Sequence, residues 1–244
     1  CGALPGAANA PTPPAERSAA RDSLRRSSEA AASLVRRLSA LSRASAGLVQ
    51  GTDFRFLYDA ERKLFTIGYR LSDGRHDPGF YDLLASEARL ASFIAIARGD
   101  APPEHWFHLS RPLTPVGKGS VLVSWSGSMF EYLMPDLVLN VPTQSLLEQT
   151  DRLVVARQIA YGEERRAPWG VSESAFSARD VDLTYQYSNF GVGGLGLKRG
   201  LSEDYVVAPY ATALASMVDP TAAARNFERL AKEGAVGPYG YYES

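Results

Sequence analysis

The most constraining feature is the apolar run at residues 120–140, SVLVSWSGSMFEYLMPDLVLN. If this segment is helical, apolar residues occupy every face of it, so the chain must bury it on all sides. Pro135 would kink or end such a helix. The chain has 244 residues, 45% of them hydrophobic, which is enough for one large domain or two small ones around such a core.

Most of the remaining chain has helical periodicity. Residues 1–14 are rich in Gly, Ala and Pro and are typical of a linker. Apolar residues recur at helical spacing over residues 15–50, which predicts one amphipathic linker helix. Asp219 followed by Pro220 is typical of a helix N-terminus. Further helices are predicted over about 81–98, 144–161, 205–217 and 220–233.

Two segments have the composition of β-strands. FRFLYDAERKLFTIGYRL, residues 54–71, has aromatic and β-branched residues on both sides of a turn-like centre and predicts a small β-hairpin. VDLTYQY, residues 181–187, is strand-like and leads into a glycine-rich loop. The sequence therefore predicts a mainly α chain with long aromatic and glycine-rich loops, which often contain functional residues.

Composition argues against several functional classes. The formal net charge of −1 gives no electrostatic reason to expect a nucleic-acid partner. The single cysteine, Cys1, cannot form an intramolecular disulfide. The sequence contains no run of 18 apolar residues, so it predicts no transmembrane segment. His76, His105 and His108 have no cysteine near them, so neither a metal site nor another cofactor is expected.

The loop GVGGLG at 191–196 matches a dinucleotide-binding pattern, G-x-G-x-x-G. Three residues separate it from the preceding strand-like run, and LKRGLSED after it is a poor first helical turn. The chain before it is helical rather than a βαβ series. We therefore interpret the loop as backbone that approaches another segment closely.

Glu87 is the first candidate functional carboxylate. On a helix over 81–98, Leu83, Ala91 and Ile94 lie within about 40° of it at 100° per residue. A carboxylate on an apolar face is costly unless it is paired or lines a polar cavity. Either a buried ion pair with an arginine or a cleft with a shifted pKa fits this pattern.

Glu173, in PWGVSESAF, lies among aromatic and small polar residues, and Glu131 has mostly apolar neighbours. Aromatic rings stack on sugar rings while amides and carboxylates bind hydroxyl groups, so the cluster favours a carbohydrate cleft. For any single aromatic residue, core packing is the simpler interpretation. The candidate substrate contacts are Trp125, Glu131, Trp169, Tyr185, Gln186, Tyr187, Asn189 and Phe190.

Several collinear blocks resemble the glucoamylase-like cyclisation domain of bacterial cyclic β-1,2-glucan synthases. They include SWSGSMFEYLMPDLV, PWGVSESAFSARD and LTYQYSNFGVGGLGLKRGL, and the resemblance runs from about Thr52 to the end of the chain. Gly193 departs from the family pattern, in which proline is expected. The resemblance implies that residues 51–244 are the N-terminal part of an (α/α)6 barrel, truncated before its later helices.

The resemblance also implies the surroundings of this piece. The parent proteins are large enzymes of the bacterial inner membrane that act on its cytoplasmic side. They contain a glycosyltransferase region before this domain and a phosphorylase-like domain after it. Half a barrel would leave apolar helix faces uncovered, so activity of the piece by itself does not follow from the resemblance.

The implied activity is transglycosylation, which converts linear β-1,2-glucan into cyclic β-1,2-glucan. Glu173 matches the carboxylate expected to protonate the leaving oxygen, and Glu87 matches the second catalytic carboxylate. Such chemistry needs two carboxyl groups with separated pKa values. The alternatives are a β-1,2-glucan hydrolase and a non-catalytic glycan-binding module of a larger synthase.

Overall fold

A computed structural model describes residues 14–244, and the chain divides into two units, Cys1–Asp53 and Phe54–Ser244. In the first unit, the helix predicted over 15–50 is present as α1, Pro14–Gly51, and none of its residues is buried. The linker predicted over 1–14 lies, except for Pro14, outside the described residues. Among the described residues, no helix is long and apolar enough to cross a bilayer.

The second unit combines six helices with short antiparallel strand pairs. Its helices are α2 Arg89–Arg98, α3 Glu104–His108, α4 Met129–Leu133, α5 Leu146–Arg165, α6 Pro209–Ala215 and α7 Pro220–Lys232. Its strands are β1 Tyr58–Asp59, β2 Leu64–Thr66, β3 Tyr69–Arg70, β4 Arg75–His76, β5 Phe80–Tyr81, β6 Leu113–Val116, β7 Gly119–Leu122, β8 Ser174–Arg179, β9 Tyr185–Ser188, β10 Val236–Gly237 and β11 Gly240–Tyr241. Two short 3₁₀ turns cover Arg55–Leu57 and Met134–Leu137.

The chain is mainly α, as predicted, and the small β-hairpin is also present. β1 pairs with β2 through Tyr58 and Phe65, and β5 adds a third antiparallel strand. The strand-like run before the glycine loop forms β9, which pairs with β8. Between residues 14 and 244 the helices do not close into a barrel.

The apolar run at 120–140 is buried, but it is not one helix. It forms the end of β7, a loop, α4 and a 3₁₀ turn. Ser128 starts α4 because its hydroxyl accepts from the Glu131 N–H (3.3 Å), and the Glu131 carboxylate accepts from the Ser128 N–H (3.1 Å). This capping box interrupts the run and fixes the helix start.

Helices α4 to α7 enclose the main core together with β7. Tyr132 and Leu133 of α4 and Val154 of α5 are fully buried in it. The helices predicted at 144–161 and 220–233 are confirmed as α5 and α7. Asp219 caps α7 by accepting from the Ala222 N–H (2.8 Å).

Two buried amide side chains hold the segment that leads to Glu173. Gln158 of α5 forms two hydrogen bonds to the backbone of Val171, each 2.8 Å. Asn226 of α7 accepts from the Trp169 N–H (3.0 Å) and donates to its carbonyl (2.8 Å). Because buried backbone groups must be paired, these amides set the path of residues 169–171.

A buried ion pair connects α2 with the end of α4 and with α5. Arg89 is 2% exposed, and its guanidinium lies 2.7 Å from Asp136 and donates to the Tyr132 carbonyl (2.8 Å). Asp151 is hydrogen-bonded to Asp136, and burial together with the Asp136 charge raises the pKa of Asp151 to about 8. Asp151 therefore holds a proton at neutral pH, and Asp136 is the partner of the arginine.

Candidate functional site

Glu87 lies in the turn before α2, so the prediction of a helix over 81–98 is wrong for its first eight residues. The chain there is extended beside Ser110, which donates its N–H to Asp82 and accepts from the Leu84 N–H. The Ser86 hydroxyl then accepts from the Ala88 N–H (3.1 Å), and the helix begins at Arg89. Long-range backbone pairing thus overrides helical periodicity, and Glu87 is not on a helix face.

Glu173 lies between Ser172 and the first residue of β8. The Tyr210 hydroxyl of α6 donates to the Glu173 carbonyl (2.7 Å) and is hydrogen-bonded to the Ser172 hydroxyl (2.8 Å). Ser172 also accepts from the Phe130 N–H of α4 (3.0 Å). The backbone of Glu173 is therefore fixed by two core helices, while its side chain is left to face the cleft.

Glu131 lies at the start of α4 and is 7% exposed. Its carboxylate accepts from the hydroxyl groups of Ser124 (2.7 Å), Ser126 (2.7 Å) and Ser128 (3.2 Å). It also accepts from the N–H groups of Ser126 (2.9 Å) and Ser128 (3.1 Å). Five donors thus surround one carboxylate.

The glycine loop supports the serine segment from behind. A Cβ atom on Gly191 would lie 1.8 Å from the Ser126 carbonyl oxygen, so only glycine permits this approach. Ser124 forms an isolated parallel bridge with Gly196. The loop is therefore a backbone-to-backbone contact, as the sequence predicted.

Glu87, Glu131 and Glu173 line one cleft of about 310 Å³. The lining residues are Ile67, Gly79, Phe80, Tyr81, Asp82, Leu83, Ser86, Glu87, Trp125, Ser126, Glu131, Glu173 and Asn189. Three glutamates that are far apart in the sequence thus line one cavity, which also has aromatic walls.

The cleft raises the pKa values of two of these carboxyl groups. Burial raises the pKa of Glu173, the negative charges of Glu87 and Glu131 raise it further, and a hydrogen bond from Tyr187 opposes them. Burial also raises the pKa of Glu87, and a hydrogen bond with its own backbone opposes the burial. The Glu131 charge raises the pKa of Glu87 as well. Like charges that share a cleft favour a proton on one of the group.

Of the predicted substrate contacts, Trp125 and Asn189 line the cleft beside the three glutamates. Trp125 is 56% exposed, so its ring is free to stack on a ligand. Lys198 donates to the Asn189 side chain (2.6 Å) and orients it.

The other predicted contacts lie outside the cleft lining. Trp169 and Phe190 are buried in the main core. Tyr185 and Gln186 lie on the β8–β9 hairpin and contact Arg179 and Asp180. Tyr187 lies on the same hairpin, and its hydroxyl is hydrogen-bonded to Glu173. Substrate binding by these five residues stays a prediction.

Sequence reasoning missed the wall formed by Phe80 and Tyr81 of β5. The signal was present, because two adjacent aromatic residues precede Glu87 by only six and seven positions. It also missed the serine donors of Glu131. The capping box was detectable from the spacing of Ser128 and Glu131, whereas the contact of Ser126 with Glu131 was not.

In residues 14–244, no three histidine, cysteine, aspartate or glutamate side chains are arranged so that they could hold a metal ion. His105 has a structural position: it is fully buried, and its ring nitrogens are hydrogen-bonded to the Lys63 carbonyl (2.8 Å) and the Ser92 hydroxyl (2.9 Å). A buried histidine with both nitrogens satisfied connects α2, α3 and the first hairpin.

Comparison with known proteins places this cleft in a family. Residues 79–244 match the family model described as “Putative glucoamylase”. The chain belongs to this glucoamylase-like family. It is also 53% identical over 211 residues to the cyclic beta-(1,2)-glucan synthase NdvB of Rhizobium meliloti (strain 1021). That match covers 86% of this chain but 8% of the relative, so this glucoamylase-like chain corresponds to a small part of a much longer protein.

Proposed function

We propose that this chain processes β-1,2-glucan by transglycosylation, joining a linear chain to its own end to give a cyclic product. The observation that supports the proposal most is the meeting of Glu87 and Glu173 on one cleft beside an exposed tryptophan. The similarity to a cyclic glucan synthase supports the choice of substrate. The similarity to the glucoamylase-like family supports a glycosyl-processing reaction.

In the proposed reaction, Glu173 donates a proton to the glycosidic oxygen as the bond to the anomeric carbon breaks. A hydroxyl group at the end of the same glucan attacks that carbon, and its proton passes to Glu87 directly or through a relay. One carboxyl group must begin protonated and the other ionised. Burial, followed by the negative charges of Glu87 and Glu131, favours Glu173 as the protonated member.

The surroundings of the cleft belong to the same proposal. We expect α4 to α7 to be part of an (α/α)6 barrel that is complete only in the longer polypeptide. As the family resemblance implies, the domain would act beside glycosyltransferase and phosphorylase-like domains of a parent enzyme on the cytoplasmic side of the inner membrane. Trp125 and Asn189 would contact the sugar rings, together with Phe80 and Tyr81.

The test is incubation of the purified protein with linear β-1,2-glucan, followed by separation of cyclic from linear products. Cyclic product from wild type, and its loss in Glu173→Gln, is the expected result. Absence of product from wild type, or undiminished product from Glu173→Gln, would contradict the proposal. Linear α-1,4-glucan is the control substrate and should not react.

The same assay separates the alternatives. New reducing ends without rings would identify a β-1,2-glucan hydrolase. Glucan binding that persists in the Glu87→Gln and Glu173→Gln variants, without turnover by any form, would identify a glycan-binding module. Binding is measured by calorimetry with the same linear β-1,2-glucan.

A further inference from the structure

Glu131 differs from the other two cleft glutamates in the number of its hydrogen bonds. The Ser124 hydroxyl accepts from the Gly127 N–H (2.8 Å), which directs its own proton to Glu131. The Ser128 hydroxyl accepts from the Glu131 N–H and likewise donates back to the carboxylate. Since backbone N–H groups can only donate, these two hydroxyl groups and the N–H groups of Ser126 and Ser128 all present hydrogen atoms to Glu131.

This arrangement suits an ionised carboxylate, because Oε2 accepts from all five donors and Oε1 accepts from the Ser126 N–H as well. A protonated carboxyl group needs an acceptor, whereas the N–H groups of Ser126 and Ser128 can supply none. Hydrogen bonds to the charged form of an acid favour that form. Glu131 is therefore a buried, fixed negative charge.

The position of this charge gives it an effect on the cleft. Glu131 lies in the wall between Trp125, Glu87 and Glu173, and its charge acts on both of the other glutamates. Its Oε2 atom is occupied by donors from its own loop, whereas Oε1 accepts only from the Ser126 N–H (2.9 Å). An effect through its neighbours is consistent with this packing.

Other groups also face Glu173, and they come from several elements. These are Glu87 and Asp82 before α2, Tyr81 of β5, Tyr187 of β9, Tyr210 of α6, Lys198 after the glycine loop, and Glu243 near the end of the chain. Lys198 is engaged by Asn189, and Glu243 accepts from the Ala175 N–H (3.0 Å). Among them, Tyr187 is the group that hydrogen-bonds to the Glu173 carboxyl and opposes its protonation.

The hairpin register explains how Tyr187 reaches Glu173. Tyr187 pairs with Ala175, and Ala175 and Glu173 point to the same face because side chains alternate along a strand. Glu173 and Tyr187 are thus diagonal neighbours, within reach of an aromatic side chain. Two groups with opposite effects, Glu131 and Tyr187, therefore flank one carboxyl group.

We propose that Glu131 is a positioning residue whose fixed negative charge, held by the Ser124, Ser126 and Ser128 loop, keeps Glu173 protonated for acid catalysis. This assignment rests on the proposed function and deepens it. The expectation that Glu131 contacts substrate stays a prediction beside it. The proton stays on Glu173 until the leaving oxygen takes it, because a second anion beside Glu131 is disfavoured in the buried wall.

The test is a pH titration of the glutamate side-chain carbonyls by ¹³C NMR, with signals assigned by substitution. In Glu131→Gln, we expect the Glu173 signal to titrate at lower pH than in wild type. In Tyr187→Phe, we expect it to titrate at higher pH. The matched control is Glu228→Gln, which removes an exposed carboxylate on α7 and should leave the Glu173 titration unchanged. An unchanged Glu173 titration in Glu131→Gln would overturn the proposal.

A measurement on wild type alone keeps the proposal testable if Glu131→Gln does not fold. The Glu173 signal should titrate at higher pH in the folded protein than in the urea-unfolded chain, because burial and the neighbouring negative charges raise its pKa. The same titration pH in both states would also overturn the proposal.

Neither measurement depends on turnover, so failure of the inference and failure of the proposed function are distinguishable. If the enzyme is active, the alkaline limb of its kcat/KM profile should move to lower pH in Glu131→Gln and to higher pH in Tyr187→Phe. A purely structural role for Glu131 would lower the rate at every pH without moving the limb. NMR shifts as expected in a protein without glucan turnover would retain the inference about Glu131 and reject the reaction.

Discussion

Two carboxylate clusters in this protein have raised pKa values, and they differ in how their charge is compensated. Glu87 and Glu173 line a cleft of about 310 Å³ and are half-buried. Asp136 and Asp151 line a separate cavity of about 450 Å³, where Arg89 neutralises one and a proton neutralises the other. Glu87 and Glu173 come from distant parts of the chain, whereas Asp136 and Asp151 lie closer together in the sequence.

The difference shows that a raised pKa alone does not identify a catalytic acid. The charge of the Asp136–Asp151 pair is compensated by Arg89 and by a proton. These contacts connect α2 with α5 through Asp136. In the cleft, by contrast, no arginine or lysine is among the lining residues, and a substrate can reach the carboxyl groups. Perturbed groups that face a cavity indicate function when no charged group of the protein compensates them.

The largest effect expected from this comparison is on catalysis. Glu173→Gln should lower the rate of glucan turnover by about 10²- to 10⁴-fold, the usual contribution of a general acid. Asp151→Asn should leave the rate near wild type because Asp151 does not face the cleft. Product formation is measured under saturating linear β-1,2-glucan, and equal losses in the two variants would erase the distinction between the clusters.

The next effect is on stability, through the buried cluster. Arg89→Met should lower the free energy of unfolding by about 3–5 kcal/mol, because it leaves Asp136 buried without its partner. Denaturation in urea, followed by circular dichroism, measures this change. A loss below about 1 kcal/mol would show that Asp136 reaches solvent when the arginine is removed.

The proton on Asp151 gives the buried cluster a pH signature. The unfolded chain releases this proton near pH 4, whereas the folded protein holds it until about pH 8. The folded state therefore binds more protons between these values, and its contribution to stability is lost as pH rises, by at most about 1.4 kcal/mol per pH unit.

Asp151→Asn should remove this contribution, since asparagine has the shape of the protonated acid. Urea unfolding between pH 5 and pH 8 should show a shallower decline than in wild type. An identical slope in both proteins would mean that Asp151 is ionised in the folded state.

The smallest effect on stability is expected at an exposed ion pair, which serves as the comparison for the buried pair of Arg89 and Asp136. Arg157 lies 2.7 Å from Glu164 on α5, and both side chains reach solvent. Arg157→Gln should change the free energy of unfolding by less than about 1 kcal/mol. Thermal unfolding measures it, and a loss as large as that of Arg89→Met would contradict the role assigned to burial.

Much of the site was predictable, for different reasons at each residue. Glu173 was assigned through the resemblance of PWGVSESAF to a known family, and it lines the cleft. Glu87 also lines the cleft, although the helical phase that first drew attention to it does not exist in the structure. Its real position depends on backbone pairing with Ser110, which is not visible in the local pattern.

Trp125 and Trp169 show where sequence reasoning had to stop. Both are tryptophans next to a glycine or serine and near a glutamate, so the local pattern ranks them equally. Trp125 faces the cleft, whereas Trp169 is buried. Trp169 is held in the core because its backbone is hydrogen-bonded to Asn226 and the backbone of Val171 is hydrogen-bonded to Gln158. These contacts span 13 and 57 residues.

The sequence by itself determined the features that depend on neighbours within a few positions. The helix periodicity of α1, α5 and α7, the N-cap at Asp219 and the turn of the first hairpin are of this kind, because local hydrogen bonds and side-chain spacing set them. The capping box at Ser128 and Glu131 was available in the same way. Only the tertiary structure decided that Glu87, Glu131 and Glu173 share one cleft and that Asp136 and Asp151 do not belong to it. Packing between distant segments brings such groups together, and it sets which carboxylates meet arginine, which meet serine donors and which meet solvent.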